Sequence, residues 1–249
     1  MENLDLIIDL HKHAKRQGPG SDNETEKALS LAMLDKTNHL KIADIGCGTG
    51  SSAIVLAKQL NAHITAVDFL PEFIDVMIKN STLHGLNDKI SPLVCSMDNL
   101  PFHHEEFDAI WSEGAIYNMG FGRGIKEWSR FLRPGGMLIV SEITWSTNDR
   151  PKELQTYWES EYPEIDKASS KLTLLENNGY SPTAYFLLPE YCWLDNYYRP
   201  LQNTFDDFLK RNGNSPEAVD IVAAEKAEIS FYEKYKSYYS YGVYIAKKL

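Results

Sequence analysis

The chain has 249 residues, 35 acidic against 25 basic, a formal net charge of −10, and 43% hydrophobic residues. That balance suits a globular chain with one sizeable core. Its acidity argues against nucleic acid as a partner, and no apolar run reaches the ~20 residues a bilayer span needs. Three cysteines, Cys47, Cys95 and Cys192, are odd in number and widely spaced. They point to reduced thiols in a cytoplasmic setting, not to a disulfide framework. The N-terminus, "MENLDLIIDLHKHAKRQGPGS", lacks a basic segment ahead of an apolar one, so no secretory leader is expected.

In chain order, two helices come first. "MENLDLIIDLHKHAKR" carries apolar residues at Leu4, Ile7, Ile8 and Leu10, and "SDNETEKALSLAMLDK" opens on the N-cap candidates Ser21 and Asp22. Between them "RQGPGS", Arg16 to Ser21, is a breaker cluster and therefore a loop. From Leu40 to Ile143 strands and helices alternate. "LKIADI", "HITAVDF", "ISPLVCSM", "FDAIWSEG" and "MLIVSEI" read as strands; "SAIVLAKQL", "PEFIDVMIKNSTLHGL" and "GIKEWSRFL" read as helices. Pro92 argues for an edge position of the third strand or an irregular start to it. Such alternation implies right-handed crossovers and a parallel sheet covered on both faces. Beyond Arg150 lie 13 of the 14 tyrosines. "DKASSKLTLLENNGY" reads as a helix ending near Gly179 and "PTAYFLLPEYCW" as a strand. "NYYRPLQNTFDDFLKRNG" and "SPEAVDIVAAEKAEISFYEKYKSYY" read as two inserted helices, and "YGVYIAKKL" as a final strand. Phe231, Tyr235 and Tyr238 have helical spacing and read as a buried stripe.

The sharpest feature is "IADIGCGTGSSAIVLA", a strand, a glycine turn and a helix. Glycines let backbone approach a ligand closely, and a helix N-terminus adds partial positive charge. Gly46 and Gly48 fit a dinucleotide fingerprint, but Ser51 stands at its third site and the extra glycine is Gly50. Asp68 closes the second strand, 22 positions after Gly46; its carboxylate can accept two ribose hydroxyl hydrogens in either reading. A phosphate loop is excluded, because no Gly-Lys-Ser/Thr ending follows.

Taken together, these stations resemble the class I S-adenosylmethionine-dependent methyltransferases. "ADIGCGTG" looks like the family's first motif, with Asp44, Gly46, Cys47, Gly48 and Gly50 in or beside the cofactor turn. "AVDF" resembles the second, where Asp68 would hold the ribose and Phe69 would pack on the adenine. In "CSMDNLPF", Met97 would flank the adenine and Asp98 accept from its amine. "FDAIWSEGAIYNMG" and "RFLRPGGMLIVSE" look like the fourth strand with its active-site loop and the turn into the fifth. The resemblance covers residues 40–145. It implies a Rossmann-like doubly wound α/β sheet of seven strands, order 3-2-1-4-5-7-6, the last antiparallel. The chain is then one domain, 1–249, with a helical cover (1–39), a cofactor core (40–145) and a substrate-side half (146–249) bearing a helical insertion.

Function follows the same resemblance: methyl transfer from S-adenosylmethionine to an oxygen, nitrogen or carbon of a small molecule. In-line displacement asks the protein mainly to align groups and exclude water. Glu113 and Tyr117 follow the fourth strand, where open α/β sheets bind ligands. They are candidates for a base, or for contacts to the methyl group or acceptor; Glu113 is also a candidate for the cofactor's methionine end. Arg16 and Gly18, in the breaker loop, are candidates for a lid near the methionine carboxylate. No Asp/Asn-Pro-Pro-aromatic signature of exocyclic-amine methylation is present, which again disfavours nucleic acid. His103 and His104 read as a solvated turn, His11 and His13 do not share a helix face, and no metal is expected. Cys47 has no partner base and reads as a small turn residue. The expected partner is a small-molecule acceptor, with no membrane, in a monomer or homodimer. An NAD(P)-dependent oxidoreductase and a non-catalytic methyltransferase-like module are the alternatives.

Overall fold

The computed structural model describes residues 3–35 and 37–249. Helices α1 (Leu4–His11) and α2 (Asp22–Ala32) precede the sheet, and Ser21 caps α2 by accepting from Glu24 N at 3.0 Å. Then come β1 (Leu40–Ile45), α3 (Ser51–Gln59), β2 (Ala62–Asp68), α4 (Pro71–Leu83), β3 (Ile90–Val94) and β4 (Phe107–Ser112). They continue as α5 (Phe121–Trp128), β5 (Leu132–Trp145), α6 (Lys152–Glu161), β6 (Asp166–Lys167), α7 (Ala168–Asn177) and β7 (Tyr180–Leu187). A helical run follows: α8 (Glu190–Trp193), a π-helical turn (Leu194–Tyr198), α9 (Arg199–Gln202), α10 (Phe205–Arg211) and α11 (Pro216–Tyr235). β8 (Tyr239–Lys248) closes the chain.

The strands form one sheet in the order β3-β2-β1-β4-β5-β8-β7, with β6 paired beside the end of β5. β8 runs antiparallel to both β5 and β7; the remaining pairs are parallel. This is the expected topology with one difference. The two-residue β6 makes eight strands where seven were expected, because the chain leaving α6 pairs Asp166 and Lys167 with Thr144 and Trp145. β3 is an edge strand with a neighbour on one side alone, where Pro92, opposite Ala66, is tolerated.

The second half departs further from the sequence reading. "PTAYFLLPEYCW" splits: β7 stops at Leu187, and Pro189 begins helix α8. Helix α6 had no counterpart in the sequence reading; it presents only Leu154 as a fully buried residue, so its apolar stripe is too thin to register.

The two sheet faces carry separate cores. One gathers Leu29, Ile42, Leu56, Ile64, Trp111 and the insertion's Trp193, Phe208 and Tyr232. The other gathers Ile110, Phe121, Trp128, Leu138, Leu175 and Tyr244. Trp193 stacks on Tyr232 with ring centroids 4.5 Å apart, and Tyr232 and Tyr235 of α11 are buried. The inserted helices are therefore built into the core on that face, and they carry the chain back over the carboxyl ends of the strands.

Candidate active site

A cavity of about 640 Å³ opens at the carboxyl ends of the central strands, where an open α/β sheet places its ligands. Its size is that of a small-molecule site. The turn after β1 forms its floor. Gly46 N and Cys47 N both donate to Val67 O, at 2.8 and 2.9 Å, which pins the turn against β2. Gly46, Gly48 and Gly50 have φ of +76°, +53° and +90°. A Cβ on Gly46 would fall 2.3 Å from that of Ala115, and one on Gly48 would fall 2.4 Å from Gln17 Oε1. Only glycine satisfies both the backbone and the space.

Asp68 stands at the end of β2. Its Oδ2 accepts from Gly48 N at 2.9 Å and its Oδ1 from Leu70 N at 3.0 Å. Burial raises its pKa against these backbone hydrogen bonds. Each oxygen keeps a lone pair beyond the one the backbone uses, on a residue that lines the cavity. The helix-capping contact to Leu70 and a ligand contact are thus compatible. Asp44 lies under the turn, fully buried, with Ser52 Oγ donating to Oδ2 at 2.6 Å and Oδ1 unpartnered. Burial pushes its carboxyl up to about 7. Asp44 does not line the cavity among the described residues; it supports the turn from below. Cys47 lines the cavity, and burial raises its thiol well above the usual range. Gly50 is the N-cap of α3 and also lies outside the lining.

Phe69, 59% exposed, sits on the same rim as Met97 and Asp98. Asp98 pairs with Arg123 Nη1 at 2.8 Å, an exposed contact that fixes its orientation more than it stabilises the fold. His103 and His104 lie in an exposed turn, and no group of metal-ligating side chains forms among the described residues.

The breaker loop straps the site from above. Arg16, Gln17, Gly18 and Pro19 all line the cavity. Gln17 Oε1 accepts from Thr49 N at 2.9 Å and Thr49 Oγ1 at 3.1 Å, while its amide donates to His11 O and Ala14 O. The strap is thereby stitched to the glycine turn by one side chain that sequence reasoning did not single out. Arg16 is buried and donates from Nη1 to Glu113 Oε2 at 2.8 Å. Its Nη2 reaches Asp22 and Thr25, and its Nε has no partner.

Glu113 is more constrained than its sequence position suggests. Oε1 accepts from Thr25 Oγ1 at 2.7 Å and Trp111 Nε1 at 2.8 Å, and Oε2 accepts from Arg16. Three donors, a guanidinium among them, already occupy the carboxylate, which commits it to the protein. The geometry therefore argues against a base role for Glu113 and for a role in fixing Arg16. Tyr117, on a 3₁₀ turn after β4, lines the far end of the cavity and meets Tyr162 edge to face at 6.2 Å. With it are Leu4, Ile7 and His11 of α1, Asn118, and Tyr197 of the π-helical turn. Tyr197 and His11 carried no distinguishing motif; they reach the site only through packing of the insertion against α1.

The cavity suits an adenosyl sulfonium. It has a glycine cradle closed to any Cβ, a half-buried acid with spare lone pairs, and a buried guanidinium nitrogen without a partner. No lysine is in its lining to hold a phosphate.

A model described as "Methyltransferase domain" matches residues 42–136. The uncharacterized methyltransferase YodH of Bacillus subtilis is 31% identical over 168 residues, covering 66% of this chain and 71% of that protein. Methyltransferase GfsG of Streptomyces halstedii is 31% identical over 111 residues, 44% of this chain and 40% of that protein. A SAM-dependent methyltransferase from Geobacter sulfurreducens, solved with S-adenosyl-L-homocysteine, superposes with a TM-score of 0.85 at 17% identity, covering 98% of both chains. Sequence and fold converge: this chain belongs to the class I S-adenosylmethionine-dependent methyltransferases.

Proposed function

We propose that the chain methylates a small molecule within the cavity, with the cofactor at its glycine-turn end and the acceptor at its Tyr117–Tyr197 end. The observation that carries this reading is the continuity of one cavity from Asp68 and Met97 past Gly114 to Tyr117 and Tyr197. When bound, S-adenosylmethionine supplies a methyl group activated by its sulfonium. The chain's residues then have separable tasks. Asp68 accepts from the ribose hydroxyls, Met97 and Phe69 flank the adenine, and Asp98 accepts from its amine. Backbone at Gly46–Gly48 and Gly18 approaches the methionine end, where Arg16, oriented by Glu113, faces the carboxylate. Asp44 and Gly50 serve by holding the turn. Tyr117 touches the acceptor, and α1 with the strap keeps water from the transfer path.

Calorimetric titration with S-adenosylhomocysteine tests the cofactor half. The wild type binds, and Asp68→Ala weakens binding by roughly tenfold or more, as loss of a charge-assisted hydrogen-bond acceptor requires. Unaltered affinity in that variant sinks the assignment. The acceptor half is tested by incubating purified protein with labelled S-adenosylmethionine and a small-molecule extract, which should yield a labelled low-mass product.

A further inference from the structure

We propose that the acceptor end of the cavity, walled by Tyr117 and Tyr197 and backed by Tyr241, takes an amine. The inference rests on the cavity assignment above and goes further, because it names the acceptor's chemistry. Three observations converge on it.

The first is the set of aromatic surfaces. Tyr117 and Tyr197 line the cavity, Leu4 and Ile7 supply an apolar side, and Tyr241 packs on Gly114, where a Cβ would lie 3.3 Å from Cε2 of its ring. Tyr197 is stacked on His11 at 6.5 Å, and Tyr117 is held by the edge of Tyr162. Tyrosine faces attract cations. Their hydroxyl oxygens accept N–H bonds, and those of Tyr197 and Tyr241 have no hydrogen-bond partner among the described residues.

The second is the charge behind those rings. Glu142, on β5, is fully buried; Tyr162 donates to its Oε2 at 3.1 Å and its Oε1 has no partner. Glu228, on α11, accepts from Tyr198 at 2.9 Å. Glu225, one turn earlier, accepts from or is paired with His11 Nε2 at 3.2 Å and leaves Oε2 unpartnered. Against these carboxylates stands Lys171, buried, bonded to Glu164 O at 2.7 Å and close enough to Glu142 to offset part of its charge. Glu164 and Asp166 share that lysine. Carboxyls therefore outnumber cations around the acceptor end. Burial raises the pKa of both Glu142 and Glu228, so a cation bound at the rings is what favours their ionised form.

The third is which acids are already engaged. Glu113, the carboxylate nearest this end in the cavity lining, is saturated by Arg16, Thr25 and Trp111. The unpartnered guanidinium nitrogen of Arg16 is assigned above to the cofactor's carboxylate, so a negatively charged acceptor would find no guanidinium of its own, and a neutral alcohol would leave the acidic backing unused. An amine uses both the rings and the field. The bound ammonium first gives one proton to water at the mouth of the cavity. The freed nitrogen lone pair then forms the bond to the methyl carbon as the S–C bond breaks. The electron pair of that bond stays on sulfur, and the positive charge passes from sulfur to nitrogen.

The test uses the full chain saturated with S-adenosylhomocysteine and two matched sets of probes, benzylamine, benzyl alcohol and benzoate, and hexylamine, hexanol and hexanoate. Titration calorimetry should show at least one amine binding about tenfold or more tighter than its alcohol and its carboxylate, a difference of ~1.4 kcal/mol. Glu228→Gln, which keeps an acceptor for Tyr198, and Tyr197→Phe should each reduce that preference several-fold while leaving affinity for S-adenosylhomocysteine unchanged. An alcohol or carboxylate that binds as tightly as its amine overturns the inference. So does a preference that survives both substitutions, or no binding by any of the six probes. If S-adenosylhomocysteine itself fails to bind the wild type, the cofactor assignment falls, and the amine inference with it.

Discussion

Two residues show how much of this site is decided atom by atom. Gly46 combines a φ of +76° with a neighbour 2.3 Å from any added Cβ. Gly46→Ala should therefore cost roughly 1–3 kcal/mol of stability through strain and lower S-adenosylhomocysteine affinity at least tenfold, read by thermal unfolding and calorimetry. Glu142 is the second. Burial raises its pKa from the ordinary 4.5 to about 7, so the native state keeps a proton that the unfolded chain has already released. Stability falls as pH rises from about 4.5 and levels off beyond about 7, a total of about 3 kcal/mol for a shift of this size. Glu142→Gln keeps an acceptor for Tyr162 and removes that slope. The variant should be more stable than the wild type at pH 8 and little different at pH 4, as denaturant melts across pH would show. At this scale the sequence was legible where chemistry and backbone coincide. The glycines and Asp68 announce themselves by spacing. Gln17, His11 and Tyr197 do not, because they are brought to the cavity by contacts with residues 32, 214 and 186 positions away in Thr49, Glu225 and His11.

Among the elements, the alternating strands and helices of the first 145 residues were readable from periodicity, down to the edge position that Pro92 gives β3. The inserted helices were foreseen as an insertion with a buried aromatic stripe at Phe231, Tyr235 and Tyr238, of which Tyr235 is buried and the other two partly so. Their amphipathic signal is confused by aromatic residues that face one another, such as Trp193 on Tyr232. Trp193→Ala should destabilise the fold by about 3–5 kcal/mol, the usual result of emptying a buried aromatic site, detected as a lowered denaturation midpoint. The strap from Lys12 to Ser21 is the opposite kind of element, held mainly by hydrogen bonds from Gln17, Arg16 and Ser51. Gln17→Ala removes the stitch to Thr49. Trypsin cleavage after Lys15 or Arg16 should then speed up several-fold, without a matching fall in the global melting temperature.

For the whole molecule, the cavity lies between parts far apart in sequence: α1 and the strap, the carboxyl ends of β1, β2 and β4, and the inserted run. A ligand spanning them ties the N-terminal cover to the insertion. Saturating S-adenosylhomocysteine at about 100 times its dissociation constant should add ~2.7 kcal/mol to the unfolding free energy. It should also slow proteolysis of the strap, whose residues Arg16 to Pro19 line the cavity.

The π-helical turn Leu194–Tyr198 sets where one tyrosine points. A wider turn of this kind shifts the register of the side chains around it relative to an ordinary helix. Loss of a single codon there would let the backbone relax to regular α-helix with the flanking turns kept in phase, and the residue that the wide turn pushes outward would be withdrawn. The aromatic clamp at Trp193 would stay in place while Tyr197 left the pocket wall. A lineage could in this way trade one acceptor for another in a single genetic event, with its donor-binding half untouched.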